Sequence, residues 1–172
     1  MQEITLKKIE QGDLADIRLL LKDWVTIEET DEIDYDRIER ILTLVQKESH
    51  ERGDRVYLVA KDNDGNIVGM IGYKNPCGYM QSFCDTHNAA EVINFYTTDH
   101  FTDYSIADAI LQQTETLVLS EGGQEIVINR APRYATGVEA YFKTKSDYKC
   151  VGKAEGFFGR NLDTPVWVKN LA

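Results

Sequence analysis

No lysine or arginine lies between Lys74 and Arg130, although the chain carries 19 such residues in all. The same stretch holds Asp85, Glu91, Asp99, Asp103, Asp108, Glu115, Glu121 and Glu125. A phosphate bound there must rely on backbone N–H groups, or on cations from elsewhere such as Arg130, Lys143 or Lys145. The formal net charge of the chain is -10. A nucleic-acid binder needs a basic face to displace counterions, and an anionic membrane surface attracts cations, so both partners are expected to be absent. The acidic balance leaves a cationic partner such as an amine as one reading and ordinary solubility as another. Cysteine is scarce and odd in number, with Cys77, Cys84 and Cys150 only. That set makes no disulfide framework, and a reducing, cytoplasmic setting is expected. Cys77, Cys84 and His87 lack an evident fourth ligand, so no metal site is expected. No apolar run is long enough to cross a bilayer. Met1-Gln2-Glu3-Ile4 does not open a basic segment followed by an apolar one, so no secretory leader is expected. The sequence also lacks a G-x-S-x-G elbow, a Walker-type loop and a G-x-G-x-x-G fingerprint. Those absences remove most readings based on serine hydrolysis, nucleotide hydrolysis or hydride transfer.

Hydrophobic residues make up 42% of the 172 positions and charged residues 28%, which suits one folded domain over residues 1–172. Ile4, Leu6 and Ile9 alternate as a first strand. Asp13 is placed to start a helix through Leu14, Ile17, Leu20, Leu21 and Trp24. A second helical pattern carries Ile38, Ile41, Leu42 and Val45 and fades over residues 48–53. Val56–Ala60 and Ile67–Tyr73 flank an Asp62-Asn63-Asp64-Gly65 turn, which predicts a hairpin. Residues 75–89 read as a loop and Glu91–Thr97 as a strand. A helix is expected over Ser105–Leu119, ended by Gly122-Gly123. A strand over Glu125–Asn129, a short helix over Gly137–Lys145, and strands over Tyr148–Ala154 and Pro165–Val168 follow. Helices interleaved with strands predict an α/β fold: a mixed, mostly antiparallel central sheet with helices on both faces.

One constellation can carry chemistry. The predicted strand ending at Phe95-Tyr96-Thr97 leads through a polar turn into a helix opening at Ser105-Ile106-Ala107. The unpaired N–H groups of such a helix start converge on one spot and suit a phosphate. Ser105 and Asp108 also fit a loose capping box, so a well-capped helix without a ligand is the competing reading.

In this register Thr102-Asp103-Tyr104-Ser105-Ile106-Ala107 resembles the acetyl-CoA motif of the GNAT N-acetyltransferase family. Members carry Arg/Gln-x-x-Gly-x-Gly/Ala there, whereas this chain has Thr102 at the basic position and Ser105 at the first glycine. Ala90-Glu91-Val92 resembles the strand that precedes the motif. The hairpin Val56–Tyr73 with Gly65 and Gly69 is similar to the family's second and third strands. Ala140-Tyr141-Phe142-Lys143 resembles its late helix, and Tyr148-Lys149-Cys150-Val151-Gly152 the strand after it.

The resemblance implies transfer of an acetyl group from acetyl-CoA to a primary amine of a small molecule or protein, by direct attack on the thioester. It makes Glu91 the candidate base, acting through water. The backbone of Phe95, Tyr96 and Thr97 becomes the partner of the pantetheine arm, and Thr102 to Ala107 the pyrophosphate cradle. Tyr141 is the candidate acid, although a shift of one residue puts Phe142 in that place. A salt-bridged Glu91 and a core Tyr141 are the structural alternatives. Members of the family often pair as homodimers. Two further functions stay open: a non-catalytic member of the same fold that senses a ligand or binds a protein, and an acidic protein-binding domain unrelated to coenzyme A. The loop at 75–88, with Tyr79, Met80 and Phe83, is expected to shape the acceptor pocket.

Overall fold

The computed structural model describes residues 3–27, 29–50, 54–130 and 135–172. The described elements run β1 (Thr5–Lys8), a single 3-10 turn (Gln11–Asp13), α1 (Leu14–Trp24), α2 (Tyr35–His50), β2 (Arg55–Lys61) and β3 (Ile67–Lys74). They continue with α3 (Gly78–Gln81), β4 (Ala89–Thr97), α4 (Ser105–Ser120), β5 (Glu125–Ile128), α5 (Ala135–Lys143), β6 (Lys149–Ala154) and β7 (Thr164–Asn170). The seven strands form one sheet in the order β1-β2-β3-β4-β5-β7-β6. β4 and β5 pair in parallel, and β1–β2, β5–β7 and β6–β7 are antiparallel. The expected mixed α/β sheet is therefore present. Contacts gather into two compact units, Met1–Gly72 with Asn94–Ile110, and Tyr73–Ile93 with Leu111–Ala172. β3, β4 and α4 each contribute to both.

In the first unit α1 buries Ile17, Leu20, Leu21 and Trp24, and α2 buries Ile38, Ile41, Leu42 and Val45. That spacing puts each set on one helical face, and α1 and α2 pack together. Asp34 starts α2: its carboxylate accepts the Arg37 N–H at 2.9 Å, the usual work of an N-cap. Asp13 behaves differently from the expected cap. It makes no side-chain cap for α1. Its carboxylate instead accepts the Glu10 N–H at 2.9 Å and pairs with Lys61 at 2.6 Å, because the 3-10 turn intervenes and re-aims it.

The hairpin between β2 and β3 turns as expected. Asp62 accepts the N–H groups of Asp64 and Asn66 at 3.0 and 2.8 Å, and Gly65 takes φ 84°, which a Cβ disfavours. The Asn66 side chain and those backbone donors hold the Asp62 carboxyl below the usual range. Gly69 has a separate reason to be glycine. A Cβ there would lie 2.6 Å from Ile110 Cδ1 and 2.8 Å from the Tyr96 carbonyl oxygen. The carbonyl belongs to a strand and cannot swing aside. Gly69→Ala is therefore expected to cost about 1–3 kcal/mol, read as a lowered urea midpoint with an unchanged slope.

In the second unit Met80, Val127, Ala154, Val166 and Val168 form a buried cluster, with Cys77, Phe83 and Cys84 packed against it. The segment at 75–89 is not all loop. It contains the short helix α3, and its last residue already belongs to β4. Met80 is fully buried, so the polar-looking segment has one apolar anchor that draws it into a turn of helix. The helix α4 ends as expected at Gly122, with φ 90°, while the Gly123 N–H bonds the Val118 carbonyl at 2.9 Å.

Candidate functional site

In the first unit the site is built around the end of β4. Asn94 sits inside the strand with φ 47°, which interrupts the extended run before Phe95, Tyr96 and Thr97. All three of these residues are buried. Nothing in the sequence around Asn94 announces this break except asparagine's tolerance of left-handed backbone. The chain end of the strand is pinned by Trp24, whose indole N–H donates to the Thr97 carbonyl at 2.9 Å. The Trp24 ring stacks on His100 at 4.7 Å and 16° and meets Phe101 edge-on at 5.8 Å. Phe101 in turn packs on Phe95 at 5.1 Å. The Phe101 N–H bonds Thr97 Oγ1 at 3.2 Å and Asp99 Oδ1 at 3.1 Å.

The turn from β4 into α4 contains no glycine, yet His100, Phe101 and Tyr104 have φ of 51°, 59° and 63°. Each left-handed non-glycine residue costs on the order of 1 kcal/mol. Such strain survives where packing enforces it, and it gathers at functional loops. For His100 and Phe101 that packing is the aromatic group around Trp24.

Thr102 is exposed and its N–H bonds the Asp99 carbonyl at 3.1 Å. Asp103 accepts both the N–H and the hydroxyl of Ser105, each at 2.8 Å. These bonds, the hydroxyl first, hold its carboxyl below the usual range. Both Ser105 donors thus go to Asp103, which the expected Ser105–Asp108 capping box did not include. Left-handed backbone at Tyr104 folds Asp103 back onto the helix start, and Ser105 spends both donors on it. Ile106 is half-buried and Ala107 fully buried, facing into the unit.

The candidate acid–base residues fall in the second unit. Glu91 is 4% exposed. Its Oε2 accepts the Cys77 N–H at 3.1 Å and pairs with Lys74 Nζ at 3.2 Å. The lysine that borders the cation-free stretch is thus the one that neutralises its buried glutamate. Glu125 is a second buried carboxylate, which the sequence reading did not single out. It accepts the N–H groups of Asp85 and Thr86 at 3.0 and 3.1 Å. Glu91 and Glu125 together hold the segment between β3 and β4.

Tyr141 and Phe142 on α5 are both fully buried. Lys145 Nζ lies 4.9 Å from the centre of the Tyr141 ring, and Phe142 stacks on Trp167 at 5.9 Å. Lys143 pairs with Glu139 at 2.6 Å. Burial, with Glu125, Asp85 and Glu91 nearby, pushes the Cys84 thiol up to about 11, which leaves it protonated at neutral pH and a poor nucleophile. Among the described residues no group of three or more metal-ligating side chains occurs, and no helix is long and apolar enough to cross a membrane.

No family model matches the sequence, and no curated protein matches it. Solved structures do match. A GNAT-family protein from Desulfovibrio desulfuricans aligns over 100% of both chains with a TM-score of 0.74 and 13% identity. A spermidine N-acetyltransferase from Vibrio cholerae, in complex with CoA and spermine, aligns over 98% of this chain and 95% of its own, with a TM-score of 0.68 and 18% identity. A manganese complex of the Vibrio cholerae enzyme gives a TM-score of 0.65 and 17% identity over 98% and 93%. The fold is the GNAT fold. The expected fold class, a mixed and mostly antiparallel sheet with helices, thus holds. Identities this low speak for the backbone, so the chemistry of this GNAT-fold protein has to be argued from its own side chains.

Proposed function

We propose that the chain, read as one domain over residues 1–172, is an N-acetyltransferase that moves an acetyl group from acetyl-CoA to a primary amine of a small molecule or protein. The observation that carries this reading is the pair of irregular backbone features on β4 and after it. A strand broken at Asn94 is followed by a strained, aromatic-braced turn into α4, within a fold whose solved neighbours include a spermidine N-acetyltransferase bound to CoA. In this reading the backbone of Phe95, Tyr96 and Thr97 holds the pantetheine arm. The helix start from Thr102 to Ala107 faces the pyrophosphate. Glu91 serves as base through water, and Tyr141 as acid. Activity is attributed to amine attack on the thioester, which needs no enzyme nucleophile, in keeping with the protonated Cys84 thiol. A cytoplasmic setting and pairing into homodimers belong to the same reading.

The residues at the helix start fit the coenzyme in part. The N–H groups of a long helix are there, but Asp103 already sits on the Ser105 N–H. A carboxylate in that place competes with an incoming phosphate. Asp103→Asn is therefore expected to tighten coenzyme A binding by about fivefold, from removal of about 1 kcal/mol of opposing charge at a helix N-terminus. Isothermal titration with the two proteins at low salt measures this.

The decisive test is thermal unfolding with and without acetyl-CoA. Ligand at a hundred times its Kd should add about 2.7 kcal/mol. If stabilisation occurs, an amine panel with Glu91→Gln and Tyr141→Phe follows, and losses of roughly 10²–10⁴ in kcat are expected for true acid–base residues. The self-capping by Asp103 and the engaged Glu91 favour a second reading, a ligand-sensing or protein-binding module that has lost catalysis. No stabilisation by acetyl-CoA, in either the parent or Asp103→Asn, would favour it.

A further inference from the structure

A phosphate held at a helix start needs N–H donors, positive charge, or both. In the turn from β4 into α4 the chain uses many of those donors itself. The N–H groups of His100 and Thr102 bond the carbonyls of Thr97 and Asp99 at 3.3 and 3.1 Å. The Phe101 N–H goes to Thr97 Oγ1 and Asp99 Oδ1, and the Ser105 N–H to Asp103 Oδ1. Two of these acceptors are carboxylates. The bonds from Ser105 hold the Asp103 carboxyl below the usual range, so it is charged at neutral pH.

Among the described residues neither Asp99 nor Asp103 has an ion-pair partner. The cations named above as substitutes belong to the second unit, and each already has a partner. Lys143 pairs with Glu139, Lys145 lies over the Tyr141 ring, and Arg130 is engaged as well. The net charge of -10 adds a repulsion that any polyanion meets. The other end of coenzyme A has different chemistry. Its pantetheine arm is uncharged and presents amides, which ask only for strand backbone. The segment that would take the arm, Phe95, Tyr96 and Thr97, lies beyond Val92, where the register of β4 with β5 ends. Asp103 has no charge to oppose in such an arm.

We infer that the donor site selects the acyl-pantetheine arm and gains nothing from the nucleotide, so that acetyl-pantetheine binds as well as acetyl-CoA, with Asp103 setting this preference. Donor selection of this kind rests on the acetyltransferase reading above. The transfer itself is unchanged. The amine nitrogen bonds the acetyl carbonyl carbon, the C–S bond breaks, and pantetheine leaves as a thiol with the proton that the amine gives up.

The experiment is isothermal titration of the full chain with acetyl-CoA and with acetyl-pantetheine, at low and at physiological ionic strength. At physiological salt acetyl-pantetheine should bind no more than about fivefold more weakly than acetyl-CoA. A site making two charge-assisted bonds to phosphate would instead lose about a hundredfold or more without them. Added salt should tighten acetyl-CoA and leave acetyl-pantetheine unmoved, because it screens repulsion by an exposed carboxylate. Asp103→Asn should shift the ratio of the two Kd values towards acetyl-CoA by about fivefold. A larger preference for acetyl-CoA in the parent protein, or acetyl-CoA binding that salt weakens, would overturn the inference and leave the acetyltransferase reading standing. A ratio unmoved by Asp103→Asn would overturn the part given to Asp103. If neither thioester binds at millimolar concentration, the acetyltransferase reading fails and donor selection fails with it.

Discussion

Replacing Glu91 by leucine should destabilise the protein by about 3–5 kcal/mol, the cost of removing one partner from a buried ion pair. The side chains of Glu91 and Lys74 are 5% and 20% exposed. Leucine would leave the Lys74 ammonium largely buried with its carboxylate gone, and would also strand the Cys77 N–H that Glu91 now accepts. At roughly 2–4 °C per kcal/mol for a chain of this size, the melting temperature should fall by about 10 °C. The pair Lys74→Met with Glu91→Leu should recover much of that loss, because two apolar side chains replace the ions without leaving a charge behind. Urea denaturation of the four proteins gives the coupling energy directly. Additive losses would mean that Glu91 is held by something other than Lys74. The same cycle informs the chemistry. Glu91 is both an ion-pair partner and the candidate base, so Glu91→Gln has to be assayed at matched folded fraction before a kcat loss is assigned to proton transfer.

Trp24→Ala should be similarly severe, at about 3–5 kcal/mol. The indole is 6% exposed and touches Tyr96, His100 and Phe101. Two left-handed residues of the following turn, His100 and Phe101, pack on that ring, so the change should loosen residues 97–105 beyond the global loss. Amide exchange in that segment should rise more than exchange in β2. Trp24→Phe separates the two contributions. It retains most of the apolar contact and loses only the N–H bond to the Thr97 carbonyl, for about 1 kcal/mol. If coenzyme binding weakens in Trp24→Phe while the fold is barely affected, the position of that carbonyl matters to the site. Equal exchange in both segments for Trp24→Ala would show that the aromatic group supports the core alone.

The order of strands and helices, the hairpin at Asp62–Gly65 and the buried faces of α1 and α2 were legible in the sequence. These depend on local periodicity and turn chemistry, and residues close in the chain determine them. The GNAT likeness came from the same level, through the strand, turn and helix around Thr97 to Ala107. Other features were decided by partners distant in the chain. Asp13 turned from α1 to Lys61, a residue on β2. Met80 sank into the second unit's core and wound part of an apparent loop into α3. Glu91 met Lys74, and Glu125 met Asp85 and Thr86. Asp103 took both donors of Ser105, where Tyr104 adopts left-handed backbone that no local preference of tyrosine would select. A sequence lists which side chains can donate, accept or carry charge. Which donor meets which acceptor is settled only when packing brings distant segments into the same low-dielectric space, where an unpaired group is costly and each must find a partner.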